Sequence, residues 1–187
     1  MDPIRAYDCL VPAAGRSKRM GEWKPLLPFG DTTILQRVVA VALAACGRVV
    51  LVTGFKGDEL SVVFKGERRV LIVENPDWPW GMFSSLQRGA AAVDTERFFV
   101  TLGDMPWIRP DVYTALLQAP ACDVVFPVFG GRRGHPVLFN GGVKREIARE
   151  DPARGSMQAV VSRLASFDLP WDDDSIHRDV DTPADLG

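Results

Sequence analysis

The residues best suited to chemistry gather in one basic loop and at the ends of several apolar runs. The loop reads Pro12-Ala13-Ala14-Gly15-Arg16-Ser17-Lys18-Arg19-Met20-Gly21-Glu22-Trp23-Lys24 and follows an apolar run. Small residues at 13–15 let backbone N–H groups approach an anion closely, which is how such loops cradle phosphate. Arg16, Lys18, Arg19 and Lys24 put four positive charges into nine residues of a chain with a formal charge of −2. Charge alone describes a solvated basic loop. Placement after an apolar strand, with glycine at both ends, turns the reading toward phosphate. No Gly-Lys-Ser/Thr follows, so this is not a P-loop, and the Gly-x-Gly-x-x-Gly spacing of a dinucleotide fold is missing.

Gly103-Asp104-Met105-Pro106 places an aspartate at a strand end, where it is ordinarily a turn former or a helix cap. Beside a phosphate loop it becomes a candidate magnesium ligand, because that ion takes hard oxygens from one or two carboxylates plus phosphates. Asp179 and Asp181 lie on an extended segment and are read as pointing to opposite sides of it. Thr182, with Pro183 after it, reads as the cap of a final helical turn that includes Asp185. Asp172-Asp173-Asp174 reads as a solvated turn. In Glu74-Asn75-Pro76-Asp77-Trp78-Pro79-Trp80-Gly81-Met82-Phe83-Ser84-Ser85, the tryptophans either wall a flat ring or pack the loop. Ser84 and Ser85 could hydrogen-bond base edges. His135 has no partner at metal-ligand spacing and reads as structural; His177 has no support.

The elements that position these residues alternate. Tyr7–Val11, Val49–Thr53, Val70–Val73, Phe98–Leu102 and Val124–Val128 read as short buried strands. Helical periodicity fills Thr33–Cys46, Gly57–Phe64, Met82–Val93 and Pro110–Gln118. Such alternation predicts an α/β fold: a mostly parallel sheet with helices on both faces and ligands at the carboxyl ends of the strands. From Gly130 the pattern shifts to a turn, an antiparallel strand over His135–Phe139, a helix near Ser156–Leu164 and a strand near Ser166–Leu169. No repeat or composition break divides residues 1–187, so a single domain is expected.

Composition narrows the function classes. At 47% hydrophobic and 25% charged residues the chain reads as globular, and its charge gives no reason to expect nucleic acid or an anionic membrane. Cys9, Cys46 and Cys122 form no Cys-x-x-Cys, and Cys9 and Cys122 sit in apolar runs, which fits a reducing compartment. Met1 to Ala6 lacks the start of a signal peptide, and no apolar stretch approaches the roughly 20 residues of a membrane span. A cytoplasmic location is expected.

The loop resembles the Ala-Ala-Gly-x-Ser-x-Arg-Met-Gly-x-x-Lys signature of the nucleotidyltransferases that activate the molybdenum cofactor, at every fixed position. The resemblance extends to Asn75-Pro76 with Gly81-Met82, Ser85 and Leu86, to Gly-Asp-Met-Pro, to Gly134-His135-Pro136 and to Asp179-Val180-Asp181-Thr182-Pro183. It implies a Rossmann-like three-layer αβα sandwich, the nucleotide-diphospho-sugar transferase fold. The implied nucleotide site comprises Pro12, Ala13, Ala14, Gly15, Arg16, Ser17, Arg19, Lys24, Gly54, Asn75, Gly81, Ser84, Ser85 and Asp104. Asp104 and Asp181 are the implied ligands of Mg2+, with Mn2+ as a substitute and Asp179 as the second choice for the second ligand. His135 and Asp179 are placed near the acceptor.

The implied reaction is attack of an acceptor phosphate oxygen on the α-phosphorus of an NTP, with pyrophosphate leaving. Arg19, Lys24 and Asp104 are the catalytic groups, and no general base is required because the attacking phosphate is already ionised. Pro12-Ala13-Ala14-Gly15 matches the cytidylyl branch, where a guanylyl enzyme shows Leu-Ala-Gly-Gly, so CTP and a molybdopterin-type acceptor are the expected substrates. The Ala14 methyl is expected to narrow the pocket under the base. The alternatives are guanylyl transfer to the same cofactor, transfer to another phosphorylated acceptor, and a nucleotide-binding regulatory module without catalysis. A recipient molybdoenzyme is compatible as a further partner. Proteins of the family usually continue beyond the position of Leu186 into a further helix, so the resemblance implies nothing about the surface that helix forms.

Overall fold

The computed structural model describes residues 6–17 and 21–186. β1 (Asp8–Pro12) leads through a small hairpin, β2 (Pro28–Phe29) and β3 (Thr32–Thr33), into α1 (Ile34–Ala45), β4 (Arg48–Thr53), α2 (Gly57–Val63) and β5 (Val70–Glu74). Then follow α3 (Met82–Ala90), β6 (Arg97–Val100), α4 (Pro110–Gln118), β7 (Val124–Phe129), β8 (Arg132–Arg133) and β9 (Val137–Asn140). The order closes with α5 (Val143–Arg149), α6 (Met157–Val161) and β10 (Ser166–Pro170).

The central sheet runs β10-β7-β9-β6-β1-β4-β5, with β8 paired to β7. β1 pairs in parallel with both β4 and β6, and β4 with β5. β9 is antiparallel to both of its neighbours, β6 and β7. Because side chains alternate along a strand, β1 sends Cys9 and Val11 to one face and Leu10 to the other. The first face packs Val49, Leu51, Phe99 and Leu138 against α1, α2 and α4. The second packs Val50, Val52, Phe98 and Phe139 with side chains of α3, α5 and α6. The result is a three-layer αβα sandwich, in agreement with the expected fold.

Local signals explain the elements closest to the site. A capping box starts α1: the Thr33 hydroxyl accepts from Gln36 N at 3.3 Å and the Gln36 side chain accepts from Thr33 N at 3.1 Å. Gly89 of α3 lies so close to the sheet that a Cβ there would sit 2.1 Å from Leu10 Cδ1 and 2.7 Å from Val52 Cγ2. At the opposite end of the sheet, buried Asp8 accepts from Arg48 Nε at 3.0 Å and Nη2 at 2.6 Å. This pair locks the register in which Asp8 faces Arg48 across β1 and β4.

The parallel strands β1, β4, β5 and β6 all present their carboxyl ends at one rim. β9, being antiparallel, starts where β6 ends, since Val137 pairs with Val100. His135, two residues before β9, is thereby delivered to the same rim although its strand runs the other way. Among the described residues, no helix is long and apolar enough to cross a membrane.

Candidate active site

A cleft of about 290 Å3 opens at this rim, lined by Pro12, Ala13, Gly15, Ser17, Lys24, Met82, Gly103 and Asp104 among others. Its floor is the loop after β1. The loop's carbonyl side is tied down: Phe55 N donates to Ala14 O at 3.1 Å and Trp23 Nε1 to Gly15 O at 3.1 Å. Ser17 adopts a left-handed φ of 54°, and its hydroxyl accepts from Lys24 N at 3.1 Å. Among the described residues the backbone amides of Gly15, Arg16 and Ser17 have no acceptor. A loop with bound carbonyls and open amides is suited to an anion. Gly15 faces open space, whereas Gly103 comes so close to β1 that a Cβ would lie 3.1 Å from Pro12 O.

Lys24 begins a short 3-10 helix, Lys24–Leu26, and is only 6% exposed. Its Nζ donates to Asp181 Oδ1 at 2.7 Å and reaches Asp104 Oδ2 at 3.5 Å. Asp104, Asp179 and Asp181 each offer a carboxylate oxygen within 4.8 Å of the other two. Val180 N donates to Asp104 O at 2.9 Å, which seats the closing segment against the end of β6. The Asp185 carboxylate accepts from Asp181 N at 3.0 Å, and from both N and Oγ1 of Thr182, pinning the chain that carries Asp181. Burial pushes the Asp104 carboxyl above the ordinary aspartate range, opposed by Lys24 and reinforced by the charge of Asp179. Three hard carboxylates at this spacing are the donor set of an oxygen-seeking divalent cation.

The expectation that Asp179 and Asp181 diverge is corrected. Residues two apart on an extended chain project to the same side, and both reach the cluster. A second difference concerns Ser84 and Ser85, expected to hydrogen-bond the base, and Asn75, expected in the nucleotide site. All three are buried. Asn75 Nδ2 donates to both hydroxyls at 3.0 Å, and the Ser84 hydroxyl donates onward to the carbonyls of Gly81 and Asp77. Their side chains fix the turn at Gly81, whose φ of 114° only glycine adopts readily, and so set the start of α3. Ala14, expected under the base, is 4% exposed, and the cleft lining at this point comes from Pro12, Ala13 and Gly15.

Other expected residues fall around the cleft. Arg16 stacks on Trp78 at 4.7 Å and Phe55 at 5.1 Å, and Trp78 in turn covers Gly54, where a Cβ would lie 2.7 Å away. Trp78 thus packs the loop, while Trp80 stays half exposed. Arg19, expected to be catalytic, lies outside the described residues.

Beyond Met82 and Leu102 a second cavity of about 500 Å3 lies between the sheet and α3, α5 and α6. It is mainly apolar, with Arg133, His135 and Gln158 as polar members, and sequence reasoning gave no sign of it. Its lining comes from five strands and three helices at once. His135 also shares a smaller pocket with Asp179 and His177. Burial, with the nearby His177, pushes the His135 pKa down from 6.5 to about 4, so the imidazole is neutral near pH 7.

Residues 9–167 match the model of the MobA-like NTP transferase domain. The chain is 33% identical to the molybdenum cofactor cytidylyltransferase of Escherichia coli K12, covering 98% of this chain and 95% of that protein. It is 29% identical to nicotine blue oxidoreductase of Paenarthrobacter nicotinovorans, over 91% and 89% of the two chains. Among solved structures, Rv0371c of Mycobacterium tuberculosis H37Rv superposes with a TM-score of 0.80 at 29% identity, covering 96% and 95% of the chains. A manganese complex of Rv0371c gives a TM-score of 0.76 at 26% identity, over the same shares of the two chains. The chain belongs to the MobA-like NTP transferase family and is a nucleotidyltransferase.

Proposed function

We propose that this enzyme transfers CMP from CTP to the phosphate of a molybdopterin-type acceptor and releases pyrophosphate, with Mg2+ held by Asp104 and Asp181 and supported by Asp179. The observation that carries this reading is the convergence of the three carboxylates and Lys24 beside a loop whose amides stand open. The 33% identity to a cytidylyltransferase along nearly its whole length supports the choice of nucleotide and acceptor.

In this reading the amides of Gly15 to Ser17 and the Lys24 ammonium hold the triphosphate, and Pro12, Ala13 and the Gly81 turn bound the nucleoside. The acceptor lies toward His135 and the apolar cavity, with its phosphate turned to the cleft. An acceptor phosphate oxygen forms the new bond to the α-phosphorus as the bond to the β-phosphate oxygen breaks, and the electron pair leaves with pyrophosphate. A bound divalent cation supplies charge neutralisation on the α-phosphate and the leaving group. Lys24 and the loop amides stabilise charge that grows on the phosphate oxygens in transit. His135, neutral, offers a hydrogen bond to the acceptor but no positive charge.

The test is turnover with molybdopterin and each of the four NTPs, followed by pyrophosphate release. CTP is expected to exceed GTP by roughly ten- to a hundredfold in kcat/KM, since a buried polar group left unpaired by the wrong base costs about 1–3 kcal/mol. Equal values for CTP and GTP would refute the cytidylyl assignment while leaving nucleotidyl transfer in place. Turnover of CTP with sugar phosphates but not with molybdopterin would move the enzyme to another acceptor.

A further inference from the structure

Lys24 is placed unusually for a residue that binds phosphate. Its ammonium lies among the carboxylates: 2.7 Å from Asp181, 3.5 Å from Asp104, and shielded from water along its whole side chain. Among the described residues, three carboxylates share the one ammonium of Lys24. The backbone of Lys24 is fixed at both sides, by Ser17 Oγ on its N–H and by Leu27 N on its carbonyl. Only the four-carbon side chain is free to move. Lys24 lines the same cleft as Gly15 and Ser17, so an anion on the loop amides would offer the ammonium a second place within reach.

We propose, building on the metal assignment above, that Lys24 is a resident cation: in the unliganded enzyme it occupies the electrostatic place of the divalent ion, and it is released onto the triphosphate when nucleotide arrives. A cation approaching alone meets a carboxylate already hydrogen-bonded to an ammonium and must displace that ammonium with no anion to receive it. Opposite charges this close attract strongly even at a protein surface, so this exchange bears on the cation's affinity. A cation arriving with a triphosphate supplies both the replacement charge and the new partner. The site therefore discriminates against free metal and selects the metal–nucleotide complex, which keeps the carboxylates paired in the resting state. Lysine suits this task because its ammonium is a point charge on a flexible stem, whereas a guanidinium would be held bidentate.

The experiment titrates Mn2+ alone, without nucleotide or acceptor, and reads free Mn2+ by electron paramagnetic resonance. Lys24→Met is expected to tighten Mn2+ binding by about tenfold, and Lys24→Gln, the second variant should the first fail to fold, by a similar factor. In an Asp181→Asn background, where the ammonium has lost its nearest partner, the same Lys24→Met change should shift Mn2+ affinity by less than about threefold. Thermal melts of each variant confirm that folded protein is compared. A gain below about fivefold for Lys24→Met and Lys24→Gln, or an equal gain in the Asp181→Asn background, overturns the proposal. Asp104→Asn separates the two levels of the argument. If it leaves wild-type Mn2+ binding unchanged, the metal assignment itself fails. If it abolishes binding while Lys24→Met changes nothing, only the role of Lys24 is overturned.

Discussion

His135 gives the sharpest physical prediction. Its pKa of about 4 in the folded enzyme stands against 6.5 for a free imidazole. Above about pH 7.5 the ring is neutral in both folded and unfolded chains and contributes almost no pH dependence. As pH falls below that value the unfolded chain takes up a proton that the folded chain refuses, so stability drops until the folded ring also titrates near pH 4. Each unit of difference is worth about 1.36 kcal/mol, which makes the loss about 2 kcal/mol at pH 5 and about 3 kcal/mol at pH 4, relative to pH 7.5. Carboxylates add their own terms over the same range, so the assay compares urea unfolding of wild type and His135→Gln at each pH. The wild type should lose about 2 kcal/mol more than the variant between pH 7.5 and pH 5. Proton NMR of the imidazole should show no titration above pH 5. Parallel stability curves, or a ring that titrates near pH 6.5, would refute the reasoning.

Asp104→Ala and Asp181→Ala should each lower kcat/KM by at least about a thousandfold at saturating magnesium while leaving the melting curve cooperative, because few other oxygens serve the cation. Near-normal turnover for Asp104→Ala would remove it from the metal site. Gly89→Ala forces a methyl into Leu10 and Val52, and should cost about 1–3 kcal/mol in chemical denaturation. A change below about 0.3 kcal/mol would mean that α3 shifts freely on the sheet.

The strands and long helices were legible because each buries a continuous or periodic apolar run: β4 and α1 lie within about one residue of their expected bounds. Shorter elements were not. The sequence of α5, Val-Lys-Arg-Glu-Ile-Ala-Arg, buries only Val143 and Ile147, one turn apart, which is too little for a period to show. The hairpin of β2 and β3 has two residues per strand and no alternation to read. In the site, the basic loop was legible from its charges and small residues and Asp104 from its place at a strand end, whereas Asp179 and Asp181 were marked only by the resemblance. The side-chain network of Asn75, Ser84 and Ser85 could not be read, because a buried amide that satisfies two hydroxyls looks the same in sequence as one that awaits a ligand. Nor could the apolar cavity beside His135, which exists only once eight separate elements are packed together.

The closing segment has a consequence for how the enzyme comes into being. Lys24 and Asp181 are 157 residues apart in the chain, yet hydrogen-bonded in the fold. Every strand described above ends by Pro170, while two of the three carboxylates follow at 179 and 181. All the described strands and the loop after β1 therefore precede Asp179 and Asp181 in the chain, and of the acidic trio only Asp104 lies among them. The acidic trio closes only when a segment from beyond the last described strand folds back onto the end of β6, so assembly of this cluster is a long-range event rather than a local one.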